Sequence, residues 1–146
     1  DLIIAVEPVN RFETYFLNIA EDAVRYCREV GTGNVKVHLD SFHMIREETS
    51  FKGAVETCGK EYLGYVHVCE NNRGIPGTGL VPWKEFFQAL KDIGYQGPLV
   101  IESFDPSFKE LNRQCAIWRK FADTGEELAI KGLQNLKAIA QEVFKK

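Results

Sequence analysis

At 146 residues the chain has the length of one domain, and its 45% hydrophobic content suits an ordinary buried core. A net charge of −3, a pI near 5.7 and the lack of a basic stripe argue against a nucleic-acid partner. No apolar run approaches membrane-spanning length and nothing resembles a signal peptide. Cys27, Cys58, Cys69 and Cys115 form no C-x-x-C pair, so a cytoplasmic protein with reduced thiols and no membrane partner is expected.

In chain order, Leu2 to Val6 form an apolar run that stops at Glu7 and reads as a buried parallel strand. Asn18-x-x-Glu21 has the spacing of a capped helix start, and the helix runs through Ala23, Val24 and Cys27 to Gly31. A second strand, Asn34 to Leu39, stops at Asp40. A single helix from Ile45 to Cys58 is expected next, ending near Gly59. The third strand, Leu63 to Val66, stops at His67. The Gly-rich loop Arg73 to Gly79 follows, and Pro82 suits the first turn of a helix carrying Phe86, Leu90 and Ile93 before Gly94. Pro98 to Ile101 is the fourth strand and stops at Glu102. Two helical segments close the chain. The last, from about Glu126 to Lys145, places Ala129, Leu133, Leu136, Ala140 and Val143 three and four residues apart.

Alternating strands and helices predict a parallel α/β fold. Pro76-Gly77-Thr78-Gly79 lacks the setting of a dinucleotide fingerprint, which argues against an open doubly wound sheet. A closed (βα)8 ring, the TIM barrel, needs about 250 residues, so four units are half of one. The sequence also starts inside a strand without Met. The expectation is therefore (βα)4, the C-terminal half of a TIM barrel, with residues 1–146 as one domain. Its first and last strands would be unpaired edges. That predicts a homo-oligomer, or pairing with a missing N-terminal half-barrel.

Four runs ending in Glu7, Asp40, His67 and Glu102 bring four ligand-type side chains to one face, because parallel strands share a carboxyl end. Three carboxylates and an imidazole favour one divalent ion, Mn²⁺ first, with Mg²⁺ or Co²⁺ as alternatives. Cys69 lies close in sequence but is expected to be buried rather than ligating. His38 is expected to be a hydrogen-bonded core residue on the same face as Asp40, only deeper. The Gly77-Thr78-Gly79 segment is expected simply to turn the chain.

Five segments resemble the D-tagatose 3-epimerase/D-psicose 3-epimerase group of xylose-isomerase-like sugar isomerase/epimerase barrels. They are Val6-Glu7-Pro8-Val9-Asn10-Arg11-Phe12-Glu13, His38-Leu39-Asp40-Ser41-Phe42-His43, His67-x-x-Glu70-x-x-Arg73-Gly74, Pro76-Gly77-Thr78-Gly79 and Ile101-Glu102-Ser103-Phe104. The resemblance covers nearly the whole chain and matches the second half of that barrel. It implies a metal-dependent ketose 3-epimerase in which Glu7, Asp40, His67 and Glu102 hold the metal. Glu7 and Glu102 would also be the catalytic acid/base pair, and Glu13, His43 and Arg73 would bind substrate oxygens. The chemistry is consistent: a ketose C3 hydrogen is α to the carbonyl, and epimerisation through an enediolate needs acid/base groups on both sides of C3.

Other functions on the same scaffold compete with this reading: a sugar-phosphate epimerase, a hydroxypyruvate-type isomerase, an inosose dehydratase-like lyase, or a non-catalytic half-barrel assembly module. A phosphate site would need extra cations near the strand tops, where only Arg11, Arg46 and Arg73 are expected. An endonuclease IV-like enzyme would need more than the three histidines present.

Overall fold

In the computed structural model, which describes residues 2–145, four short strands form one sheet. They are β1 (Ile4–Val6), β2 (Val35–Asp40), β3 (Leu63–His67) and β4 (Leu99–Val100). All pair in parallel, in the order β1-β2-β3-β4. Sequential order without a reversal is the pattern of a barrel segment rather than a doubly wound sheet. The helices are α1 (Ala20–Val30), α2 (Ser41–Glu47), α3 (Phe51–Tyr62), α4 (Trp83–Asp92), α5 (Lys109–Gln114) and α6 (Gly125–Phe144). The expected domain limits, 1 and 146, lie outside the described residues.

Strand alternation divides the side chains between two faces. Val35, Val37 and Leu39 of β2, with Val66 and Val68, enter a core built with Ala23, Val24 and Cys27 of α1 and Ala54, Val55 and Cys58 of α3. Phe86 is fully buried in that core and meets Phe51 edge-on at 5.4 Å between ring centres. The opposite parity of β2, Lys36, His38 and Asp40, faces the other side, where the strand tips gather the polar groups. The β2–β3 register slips between Val37 and His38, so Gly64 is an extra residue opposite that step. A Cβ there would lie 2.5 Å from Lys36 Cβ. Glycine is thus required for the close approach, as at a β-bulge.

Several local expectations are corrected. Asn18 does not cap α1: its Nδ2 donates to the carbonyls of Val9 and Thr14. Glu48 does that work instead, accepting from the Ala20 N–H at 2.7 Å. The single helix expected from Ile45 to Cys58 is two, because Ser50 caps a new start by accepting from Gly53 N–H. Pro82 precedes α4 as its cap residue rather than lying inside the first turn. Thr124 starts α6 two residues before Glu126, accepting from Glu127 N–H. The first strand is not buried: Ile4 is 49% exposed, and only Val6 packs on the core. Both β1 and β4 have one strand neighbour each, so the sheet has two edges. Among the described residues, no helix is long and apolar enough to cross a membrane.

Candidate active site

Each of the four ligand-type residues sits where a strand ends. Asp40 and His67 are the last residues of β2 and β3, Glu7 follows β1 directly, and Glu102 lies two residues beyond β4. Asp40 also caps α2, with its carboxylate accepting from Phe42 N–H at 2.7 Å. Their ligand atoms form three overlapping clusters, each with all atoms within 4.8 Å of one another: Asp40, His67, Cys69 and Glu102; Glu7, His38 and His67; Glu7, Asp40 and His43. None of the three holds all four residues. Glu7 on one outer strand and Glu102 on the other meet only through Asp40 and His67 between them.

His67 Nδ1 lies 3.7 Å from Asp40 Oδ2 and 3.4 Å from Glu102 Oε2, at ion-pair rather than hydrogen-bond separation. Arg73 Nη1 bridges the same two oxygens at 2.8 and 2.7 Å. The carboxylates of Asp40 and Glu102 push the His67 imidazole up to about 9. Burial would raise Asp40, but His67, Arg73 and the Phe42 N–H outweigh it and hold the carboxyl well below its usual range. His67, against burial, keeps Glu102 low as well. Glu7 goes the other way: burial first, then the charges of Asp40 and Glu102, push it up to about 7. The two outer carboxyls therefore differ: Glu7 is about half protonated near neutrality, whereas Glu102 is ionised.

The donor set suits a hard divalent cation. Glu7 Oε1 and His67 Nδ1 are buried atoms without a hydrogen-bond partner, and three carboxylates surround them. Cys69 reaches the first cluster, yet burial drives its thiol far up, so it stays a neutral, poor ligand. His38 differs from expectation. It is buried with Nε2 unpartnered, its Nδ1 is 3.7 Å from Glu7 Oε2, and its ring stands edge-on to His67 at 4.2 Å. Burial and the His67 charge lower it to about 4, so it is a neutral imidazole inside the polar cluster.

Of the residues implied as substrate binders, His43 is buried and its Nδ1 accepts from Asn10 N–H at 3.1 Å. Burial lowers its pKa, which favours the neutral ring with its hydrogen on Nε2, the atom 3.8 Å from Glu7 Oε1. Glu13 is exposed and tethered by Asn10 Nδ2 at 2.8 Å. The buried Asn10 thus ties both residues to the loop after β1 without itself standing out in the sequence. Arg73 and Arg46 both lie over Phe42, with their guanidinium carbons 3.9 and 3.7 Å from the ring centre.

Two further features escaped the sequence reading. Glu70 is completely buried under the Gly-rich loop. A cavity of about 390 Å³ next to Arg73 and Phe104 is bordered by Lys109, Arg113, Arg119 and Lys120, so cations near the strand tops are more numerous than expected. Lys109 and Arg113 belong to the short helix α5, and Arg119 and Lys120 to the irregular segment between α5 and α6.

A parallel half-barrel with carboxylates and imidazoles gathered at its strand tips defines a β/α-barrel protein with a candidate metal centre. The chain belongs to the xylose isomerase-like TIM barrel family, whose profile matches residues 1–139. It is similar to the D-psicose 3-epimerase of Enterocloster bolteae, with 37% identity over 99% of this chain and 48% of that protein. A ketose 3-epimerase of Arthrobacter globiformis is 43% identical over 86% of this chain and 44% of its own length. Among solved structures, D-allulose 3-epimerase from Methylomonas sp. in complex with D-allulose superposes with a TM-score of 0.86 at 38% identity, over 93% of this chain and 48% of that one. The chain spans about half the length of the curated relatives it matches.

Proposed function

We propose that this chain carries the metal site and acid/base pair of a ketose 3-epimerase. The observation that carries the reading is the placing of Glu7 and Glu102 on the two outer strands, with Asp40 and His67 between them. Glu7, Asp40, His67 and Glu102 would hold one divalent ion, Mn²⁺ by preference, which supplies Lewis-acid polarisation of the substrate carbonyl. Glu7 and Glu102 would then stand on opposite sides of C3, one taking the proton and the other returning it to the opposite face through an enediolate. His43 Nε2–H and the Arg73 guanidinium are donors for substrate oxygens, and the outward Glu13 is an acceptor for a hydroxyl. The curated relatives named as ketose 3-epimerases support the substrate class.

The exposed edge strands favour a second half-barrel, from another copy or an N-terminal half, as the partner that closes the ring. The free cysteines favour a cytoplasmic setting. A second reading, a phosphorylated ketose, is favoured by the cation-lined cavity beside Arg73. A panel of free and phosphorylated ketoses, assayed with Mn²⁺ and with EDTA, tests both. Metal-dependent turnover of free ketoses supports the first, preference for the phosphates supports the second, and activity unaffected by EDTA contradicts the metal role.

A further inference from the structure

The loop between β3 and α4 is wrapped around a carboxylate. Glu70 is 0% exposed, and its side chain accepts four hydrogen bonds. Oε1 takes the N–H groups of Asn71 at 3.0 Å and Val81 at 3.2 Å, while Oε2 takes Gly77 N–H at 2.9 Å and the Trp83 indole N–H at 3.2 Å. No cation pairs with Glu70 among the described residues. Converging backbone N–H groups form an anion-binding nest, and here the anion is internal. The loop therefore has no room for an external phosphate. A Cβ at Gly79 would lie 2.6 Å from Glu70 Oε1, and Gly77 holds φ +89 while donating to the same carboxylate. The Gly-rich segment does more than turn the chain.

The same nest fixes the start of Arg73. The Arg73 N–H donates to the Glu70 carbonyl at 2.9 Å, and Arg73 holds φ +62, a conformation that non-glycine residues adopt only when their surroundings impose it. The Ser103 hydroxyl donates to the Arg73 carbonyl at 2.5 Å, which ties the loop to the end of β4. From this anchored backbone the guanidinium crosses to Asp40 and Glu102. Glu70 touches none of these site atoms itself.

We propose that Glu70 is a positioning residue: its buried carboxylate organises the 70–83 loop so that Arg73 is held at the reaction centre. The proposal rests on the reading of the site as a ketose epimerase for its kinetic consequence, though not for its structural one. Glu70→Gln keeps the shape but turns an amide NH₂ toward donors, so about two of the four N–H groups lose their acceptor.

Two measurements test it, kinetics on the Mn²⁺-loaded enzyme and NMR on the diamagnetic Mg²⁺-loaded one. In kinetics, Glu70→Gln and Arg73→Ala should each raise KM for the ketose about tenfold, and the double variant should be no worse than Arg73→Ala alone. Multiplicative losses would overturn the proposal, since a residue acting only on general stability has no reason to act through Arg73. In ¹⁵N NMR of arginine side chains, the Arg73 guanidinium signal should be protected in the wild type and lost to exchange in Glu70→Gln. An unchanged signal would also overturn it. The NMR arm needs no turnover, so a protein inactive on every ketose would refute the epimerase reading and still leave Glu70 tested. If Glu70→Gln does not fold, Trp83→Phe removes one donor and keeps the ring packing. It should shift both readouts in the same direction by a smaller factor, and no shift would count against the proposal.

Discussion

Metal affinity should rise steeply with pH, because two of the four proposed ligands hold protons that the ion must displace. Glu7 is raised to about 7 and His67 to about 9, whereas Asp40 and Glu102 are held ionised and release nothing. Both shifts are upward, so both oppose binding at low pH and the opposition fades as pH climbs through each value. Each pH unit below a ligand's pKa weakens binding by about 1.4 kcal/mol. At pH 6 deprotonating both groups costs about 5.5 kcal/mol, and at pH 8, with only His67 still protonated, about 1.5 kcal/mol. The difference of about 4 kcal/mol corresponds to roughly a thousandfold in Kd. Mn²⁺ titration calorimetry in two buffers of different ionisation heat measures both affinity and proton release. About two protons should leave per ion at pH 6 and about one at pH 8. A Kd that changes less than about threefold between these pH values would refute the reasoning, since it would mean that Glu7 and His67 are not ligands or are not protonated.

Glu102→Gln should fold normally, because the half-buried side chain sits at a strand tip and leaves no core cavity, yet kcat should fall by about a thousandfold. Circular dichroism and steady-state kinetics check the two halves of that statement. Phe86→Ala should lower unfolding free energy by about 3–5 kcal/mol in a urea titration, since the ring is fully buried against Phe51 and Trp83. Light scattering should find the chain associated rather than monomeric. Leu2, Ile3, Ile4 and Leu99 line the two sheet edges in the open, and covering each such side chain is worth about 1.5–3 kcal/mol. A monodisperse particle of 16.6 kDa at high concentration would contradict this.

The architecture was legible because each strand is a short β-branched run closed by a polar residue, and that pattern has few other readings. What failed was local. Helical periodicity continues across Thr49 and Ser50, so nothing in the spacing of apolar residues marks the break that the Ser50 cap imposes. Asn18 has the right chemistry for a cap, but the loop after β1 needs its amide for two carbonyls, a demand set by tertiary structure. Within the site, parity along β2 placed His38 correctly on the face of Asp40. Its lack of a hydrogen-bond partner depends on neighbours from β1 and β3 and was not readable. Glu70 was hidden because a carboxylate three residues after a strand usually faces water. A signal was present all the same: the Gly77-Thr78-Gly79 turn frees the Gly77 N–H and lets the chain approach closely, and Trp83 adds an indole donor nearby, so a buried acceptor is called for.

The central claim is that Glu7 and Glu102 move a proton at C3 of a ketose. Running D-psicose with the Mn²⁺-loaded enzyme in D₂O and locating the label by NMR tests it most directly. Deuterium at C3 of both the recovered ketose and its epimer is the result the account predicts. Deuterium confined to C1, the mark of aldose–ketose isomerisation, would contradict it.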